Sequence, residues 1–575
     1  MMNRKLNLLL TVFLVTILGN SVFAQDDENS TVTGNLIVFT AERKTAEPYR
    51  FTSNPVIIDT IIPLPSFTYP LLTKSMETTI NVESIEASKI KIIGQLEKLY
   101  PGYIKLGLGN YTMPLGEVYY NSIRNRRWNY GIHAKHLSSF GKIKGYAPSQ
   151  FDQTDVKVFS DYYFLNHFLE TKVNYLNHGY HYYGIQNDSI PSDSLKNRIG
   201  AFGGSVQFSN TPTRDSAKLL YKLNLDYNYF HEFNKDSLKL STANARGNTI
   251  KIGSDLKYKY QENWFNLETD ILLNYYKYGE GDTAVLPIYK RETRNNIFSL
   301  KPTITTFQFK DKLKAEVGID LNFDLNADQI FKPIVIAKAQ YALLKGVLIP
   351  YAGIDGDLEQ HSFYSLNRTN EFIASSINIK NTKKFMAYAG LKGSISKAIS
   401  FNGMIYTKVM TDLPLFVNDT VFSDMYKFNV IYDKITATGI RGSITYQNKE
   451  KLKVDAYTEL NRYVASNERH AWNLPELVLG LRGTYNLYNK IILKADISME
   501  GGRKSPGGLF ISDPDATDKY KLGFLADANL HAEYRYNKRL SGYIQLNNLA
   551  HQAYQRWYNY PVYGFQVMGG ATFSF

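Results

Sequence analysis

The 575-residue chain contains no cysteine, so neither a disulfide framework nor a lipid-modified cysteine is available to it. Its 44 Tyr and 32 Phe bring aromatic residues to 14 %, more than a soluble core needs; rings with an apolar body and a polar edge suit a boundary that is dry on one side and wet on the other. The formal charge of +13 is dispersed, with Lys and Arg interleaved with Asp and Glu along most segments, which argues for a solvated face and against a nucleic-acid partner.

Arg4 and Lys5, the apolar run Leu6–Leu18 and the small-residue site Val22-Phe23-Ala24 form the pattern of a secretory leader, residues 1–24, cut before Gln25. Beyond it no window approaches the roughly 18 apolar residues of a spanning helix, so any membrane crossing must be made by strands. Residues 25–101 are polar and are interrupted by Pro48, Pro55, Pro63, Pro65 and Pro70, which predicts an irregular periplasmic or lumen segment. Within it, Leu36-Ile37-Val38-Phe39-Thr40-Ala41-Glu42-Arg43 resembles the short strand-forming box that TonB-powered transporters present to their energising partner. On that resemblance Ile37, Val38, Phe39, Thr40 and Ala41 are the candidate contact residues for TonB.

From residue 102 onward the chain alternates apolar and polar residues, the mark of a strand wet on one face. Tyr221, Leu223, Leu225, Tyr227 and Tyr229 alternate with Lys222, Asn224, Asp226 and Asn228, and similar patterns recur at 452–457, 493–500 and 522–533. Tight turns are expected near Asn125, Asn166, Gln261, Lys310, Gly346, Lys397, Lys449, Tyr488 and Asn537. Longer polar links lie between them at 140–152, 186–196, 232–244, 279–291, 365–374, 414–423, 465–472, 501–518 and 552–560. Short and long connections take turns, as they do in barrels that cross an outer membrane. The expected fold is therefore all-β: a transmembrane antiparallel β-barrel of about 22 strands over 102–575, with ambiguous joins near Asn210 and Asn326. A ring of that size has a lumen wide enough to need filling, and the 501–518 link is the leading candidate to fold inward.

The last residues, Met568-Gly569-Gly570-Ala571-Thr572-Phe573-Ser574-Phe575, alternate small or polar residues with aromatic ones and suit a closing strand. Phe573 and Phe575 fit an aromatic belt, and Gly570 lets the backbone bend into the wall. The spacing Gly570-x-x-Phe573-x-Phe575 resembles the C-terminal signal read by the barrel assembly machinery. Two further stretches carry a family resemblance. Gly102 to Tyr111, with Glu117 to Asn121 and Tyr130 to Gly141, resembles the opening of the short, plugless barrels of Bacteroidota labelled TonB-dependent receptors; Leu546 to Tyr554, with Tyr560-Pro561 and Gly564 to Phe575, is similar to the terminal hairpin of TonB-dependent receptors. The resemblance implies a 22-stranded outer-membrane barrel. The chain departs from the full transporters in having no room for a folded plug in 25–101.

The search for chemistry returns no catalytic, metal or cofactor site. His133 and His136, like His178 and His181, stand three apart on strands, which points each pair to opposite faces. His531, Asp527 and Glu533 share a face and read as a solvated charge ladder. The leading expectation is a non-enzymatic outer-membrane scaffold or channel component working with a surface lipoprotein or another outer-membrane protein. The alternative is TonB-dependent nutrient uptake with selectivity supplied by a partner, and a barrel enzyme ranks third.

Overall fold

A strand that is greasy on one face and charged on the other satisfies both only when it curls into a ring, with the charges turned inward and every backbone group paired along its neighbours. The computed structural model, described here for Lys98–Phe575 except residues 212–217, 237–243, 279–291, 345, 420–425 and 507–520, has that arrangement. Twenty-two antiparallel strands close into a barrel. The first strand, Gly102–Gly109, pairs with the last, Gln566–Ser574, from Tyr103 opposite Ser574 to Gly109 opposite Met568. A three-residue ladder, Glu292–Arg294, pairs with the ninth strand in the register of the tenth, which it precedes, and adds no stave of its own. The expected fold is thus the observed one, and the ambiguous joins near Asn210 and Asn326 resolve in favour of 22.

The two ends of the ring differ. At one end connections are tight: 165–166 and 261–262 hold two residues each, and Leu165 and Gln261 take φ of 52° and 55°. Such turns follow the twist of the strands they join. The other end carries the longer links, the longest described throughout being 360–381. The alternation read from the sequence holds apart from 110–112 and 325–330, short links at the long-link end, and 211–218 and 342–348, longer links at the tight-turn end. At the short-turn end Tyr162, Tyr258, Tyr260, Tyr534 and Phe575 project outward as an aromatic belt. Between the ends Leu106, Val317, Ile405, Ile440 and Leu460 are at least half exposed on the outer face.

The inner face is charged and paired in register. Glu316 stands opposite Lys338, Glu268 opposite Lys301, Glu459 opposite Arg441 and Asp496 opposite Arg482. The Arg441–Glu459 and Arg482–Asp496 pairs both close to 2.8 Å. Opposite charges facing each other on neighbouring strands fix register as well as hydration.

Candidate functional site: the capped mouth of the barrel

A 22-stranded ring leaves a hole that side chains of the wall cannot fill. Here the long-link end is filled by the links themselves. Four of them converge: 182–194 between the fifth strand (His167–His181) and the sixth (Leu195–Asn210); 360–381 between the thirteenth (Ile349–Glu359) and fourteenth (Thr382–Ser396); the described part, 419 and 426–427, of the link between the fifteenth (Ile399–Asn418) and sixteenth (Phe428–Asn448); and 548–565 before the last. The first and third of these leave the ring ten strands apart, almost opposite each other. Contacts between them therefore span the mouth.

The centre of this cap is aromatic. Tyr182, Phe363, Ile373, Ile377, Tyr426, Phe428 and Tyr560 are almost completely buried in one apolar cluster with Phe230, Tyr276 and Trp557. Phe372 from the 360–381 link stacks on Tyr560 from the last link at 3.7 Å. Tyr183 meets Tyr560 edge-on at 4.8 Å and donates to the carbonyl of Pro561 at 3.0 Å. Across the mouth, the rings of Tyr182 and Tyr426 lie 6.0 Å apart, and the hydroxyl of Tyr560 donates to the carbonyl of Tyr426.

Helix α1, Phe363–Thr369, carries the apolar wedge. It begins because Ser362 and Ser365 cap each other: the Ser362 hydroxyl accepts from Ser365 N–H at 3.1 Å and the Ser365 hydroxyl accepts from Ser362 N–H at 2.9 Å. Its first residue, Phe363, lies between Phe230 at 5.4 Å and Tyr276 at 5.3 Å on the barrel wall. Beyond the helix, Ala374 N–H donates to Phe428 O at 2.8 Å and Phe428 N–H to Phe372 O at 2.9 Å, so the link runs briefly as an extra strand.

The polar groups beneath the cap are tied down. The fully buried Glu232 accepts from Asn197 at 2.8 Å and from Ala245 N–H at 3.0 Å. Burial pushes the phenols of Tyr182, Tyr183 and Tyr560 well above their usual value, so they stay neutral and act as hydroxyl donors or acceptors. At the base of the 360–381 link, Asn295 donates to His361 O at 2.8 Å and to Asn381 at 2.6 Å, while His361 meets the Thr382 hydroxyl at 2.8 Å. The arrangement is a plug made of loops, apolar at its centre and hydrogen-bonded at its edge, above a charged lumen.

The histidine pairs separate as their spacing requires. His133 meets Glu117 at 3.0 Å on the inner face, whereas His136 meets Thr154 at 2.8 Å on the outer one. His178 approaches Glu371 of the cap at 3.6 Å, and His181 bonds the carbonyl of Gln150 at 2.6 Å. His531, Asp527 and Glu533 share the inner wall, with Glu533 3.4 Å from Arg535. Among the described residues no group of three or more acidic or imidazole side chains could hold a metal ion. The candidate box Ile37–Ala41, and most of the 501–518 link, lie outside the described residues.

Gly570 sits at the closing seam, where there is no room for a side chain. A Cβ there would fall 2.0 Å from the carbonyl oxygen of Leu106 and 2.6 Å from the Tyr543 hydroxyl. Together with Gly107 it forms the hollow in which Tyr543 crosses the closing seam. Phe573 and Phe575 project outward, 43 % and 45 % exposed and stacked at 6.2 Å. The 365–374 stretch, expected as a polar link, is part of this cap; Phe363, Leu366, Phe372, Ile373, Ile377 and Ile379, apolar residues in and around it, are the signal the sequence holds.

No family model and no curated protein matches the chain. Among solved structures it is similar to the copper transporter OprC (TM-score 0.61, 14 % identity, 82 % of this chain and 80 % of that one). It is also similar to the ferric-catecholate import receptor Fiu from K12 E. coli (0.58, 10 %, 83 % and 82 %). A third is the pyoverdine outer membrane receptor FpvA from Pseudomonas aeruginosa PAO1 (0.60, 12 %, 83 % and 78 %). At such identities the likeness is one of fold, and the class it defines is the closed 22-strand antiparallel β-barrel.

Proposed function

We propose that the chain is an outer-membrane barrel of the TonB-dependent receptor type that takes part, without enzymatic chemistry, in uptake across the outer membrane, with the loop cap as the barrier a ligand must displace. The observation that carries this reading is the cap itself, built from links on nearly opposite sides of the ring and seated over a charged lumen. That solved barrels of similar fold are a copper transporter and import receptors supports transport over a purely architectural role. In this reading the tight turns face the periplasm and the cap faces outward. Ile37–Ala41 engages TonB, Gly570, Phe573 and Phe575 are read by the assembly machinery, and residues 25–101 serve as a periplasmic or lumen segment in place of a folded plug. Selectivity comes from a partner such as a surface lipoprotein, and a Bacteroidota origin belongs to the same reading.

The apolar packing of the cap favours a second reading, a permanently closed scaffold, because a ligand seat is expected to offer convergent polar groups. Deleting Ile37–Ala41 separates the two. Energised uptake predicts that cells carrying the deletion grow like the null strain on the limiting nutrient. Normal growth of the deletion strain, with a null strain that still fails, leaves the scaffold; a large steady current through the purified barrel rules out closure in either reading.

A further inference from the structure

The outer wall is not uniform. From the eleventh strand (Leu313–Asp324) to the fourteenth, alanines interrupt the larger apolar residues at outward positions: Ala315, Ala337, Ala339, Ala352, Ala387 and Ala389. Ala315, Ala339, Ala352 and Ala389 are successive register partners, so they form one row straight across four strands. On the next two strands the row continues into Ile405 and Ile440, and Gly403 and Gly442, one outward position nearer the tight turns, leave the wall low beside them. The result is an open hollow of about 1580 Å³, continued toward the tight turns by a second of about 920 Å³. It rises toward the long-link end at Leu477, Gly501 and Phe524.

One register row above the floor, Thr407, Thr438 and Arg462 bring polar groups to the upper edge. Arg462 is exposed. Its guanidinium forms no ion pair with a carboxylate among the described residues, whereas Glu476, at the same edge, is held by Lys504 at 2.9 Å.

We propose that this hollow seats a phosphorylated outer-leaflet glycolipid with more than two acyl chains, the chains lying over the alanine floor and Arg462 holding the phosphate. The inference rests on the reading of the chain as an outer-membrane barrel. Hydrocarbon faces every part of such a wall, so specific binding needs added shape and charge. The alanine floor lets chains approach the backbone closely and gain dispersion contact. The alanine row crosses from the eleventh to the fourteenth strand, three spacings of about 4.8 Å, which is wider than two adjacent chains fill. A guanidinium at the outward edge matches a phosphate through two parallel hydrogen bonds, on the leaflet the long links face.

The test uses the full chain, purified in mild detergent, delipidated and confirmed as a barrel by its heat-dependent gel migration. Native mass spectrometry then follows binding of a purified phosphorylated multi-acyl glycolipid, its dephosphorylated form, and the two-chain lipid phosphatidylglycerol. The phosphorylated glycolipid should bind best. Ala352→Trp, which fills the floor, and Arg462→Ala should each weaken it roughly tenfold. Val173→Trp, on a distant outward position, should leave it unchanged. Equal binding of the dephosphorylated form, preference for phosphatidylglycerol, or equal effects of all three substitutions overturns the assignment. Loss of heat-dependent migration in the unaltered chain would instead overturn the barrel reading beneath it.

Discussion

Gly107 and Gly570 face each other across the seam that closes the ring, and what each excludes is different. A Cβ at Gly107 would fall 2.2 Å from the Tyr543 hydroxyl, the far end of a side chain; one at Gly570 would fall 2.0 Å from the Leu106 carbonyl, which is backbone. Gly107→Ala should therefore impair closure and be rescued by Tyr543→Ala, while Gly570→Ala should not be rescued. Heat-dependent migration of the four variants checks this, and rescue of both would show that the side chain alone sets the constraint. The seam also shows how far residue-level reading reaches. The alternation through Phe573 and Phe575 was visible because its period is local, but the reason for Gly570 depends on Tyr543 and Leu106, which only closure brings near. Phe363 is the opposite case, an apolar residue whose place in the cap nothing local announces. Truncating it to alanine would open a cavity between Phe230 and Tyr276 and should cost the cap about 3–5 kcal/mol. Faster hydrogen exchange across 363–379 with unchanged exchange in the wall is the expected result; uniform change would mean that cap and wall unfold together.

Strands and links differ in legibility for a physical reason. A strand of this barrel meets hydrocarbon on one face and water on the other, so each residue declares its side without reference to distant ones. A link that folds inward meets other links, and its apolar residues make sense only once the ring brings both sides together. Helix α1 is short enough that its capping pair, Ser362 and Ser365, had little periodicity behind it to stand out against. The base of this link carries a titratable group, His361. Burial lowers its pKa, the Glu359 carboxylate 3.7 Å away pulls it back upward, and Lys384 lowers it again. The folded link thus takes up a proton less readily than the unfolded one, whose histidine titrates near 6.5. The stability this contributes is complete above about pH 6.5 and is lost as pH falls toward the folded value. Protection factors in 363–379, which allow for the intrinsic slowing of exchange in acid, should fall between pH 7.5 and 5.5, and His361→Gln should flatten that dependence. An unchanged slope in the variant would move the effect to another group.

At the scale of the whole molecule, the question is whether the cap moves. The wall is held by ladders that run all the way round, so opening it is costly, whereas the cap is joined to the wall by a limited set of contacts and is the part able to shift alone. The 360–381 link offers a place to pin it. Ile373 and Phe428 are bridge partners, flanked by the Ala374–Phe428 and Phe428–Phe372 hydrogen bonds, a spacing compatible with a disulfide. The chain has no cysteine of its own, so Ile373→Cys with Phe428→Cys would be its only thiol pair. Both side chains are fully buried, and each single variant serves as a control for lost packing. If ligand passage requires the cap to leave the mouth, the oxidised double variant should fail to transport, and a reductant should restore uptake to the level of the single variants. Full uptake in the oxidised state would show that this link stays in place during transport. Failure that a reductant does not reverse, with both single variants active, would locate the defect in packing and not in the lock. The first outcome makes the aromatic cap a gate, because a bond that adds nothing to the lumen could then stop passage only by holding that link against the wall.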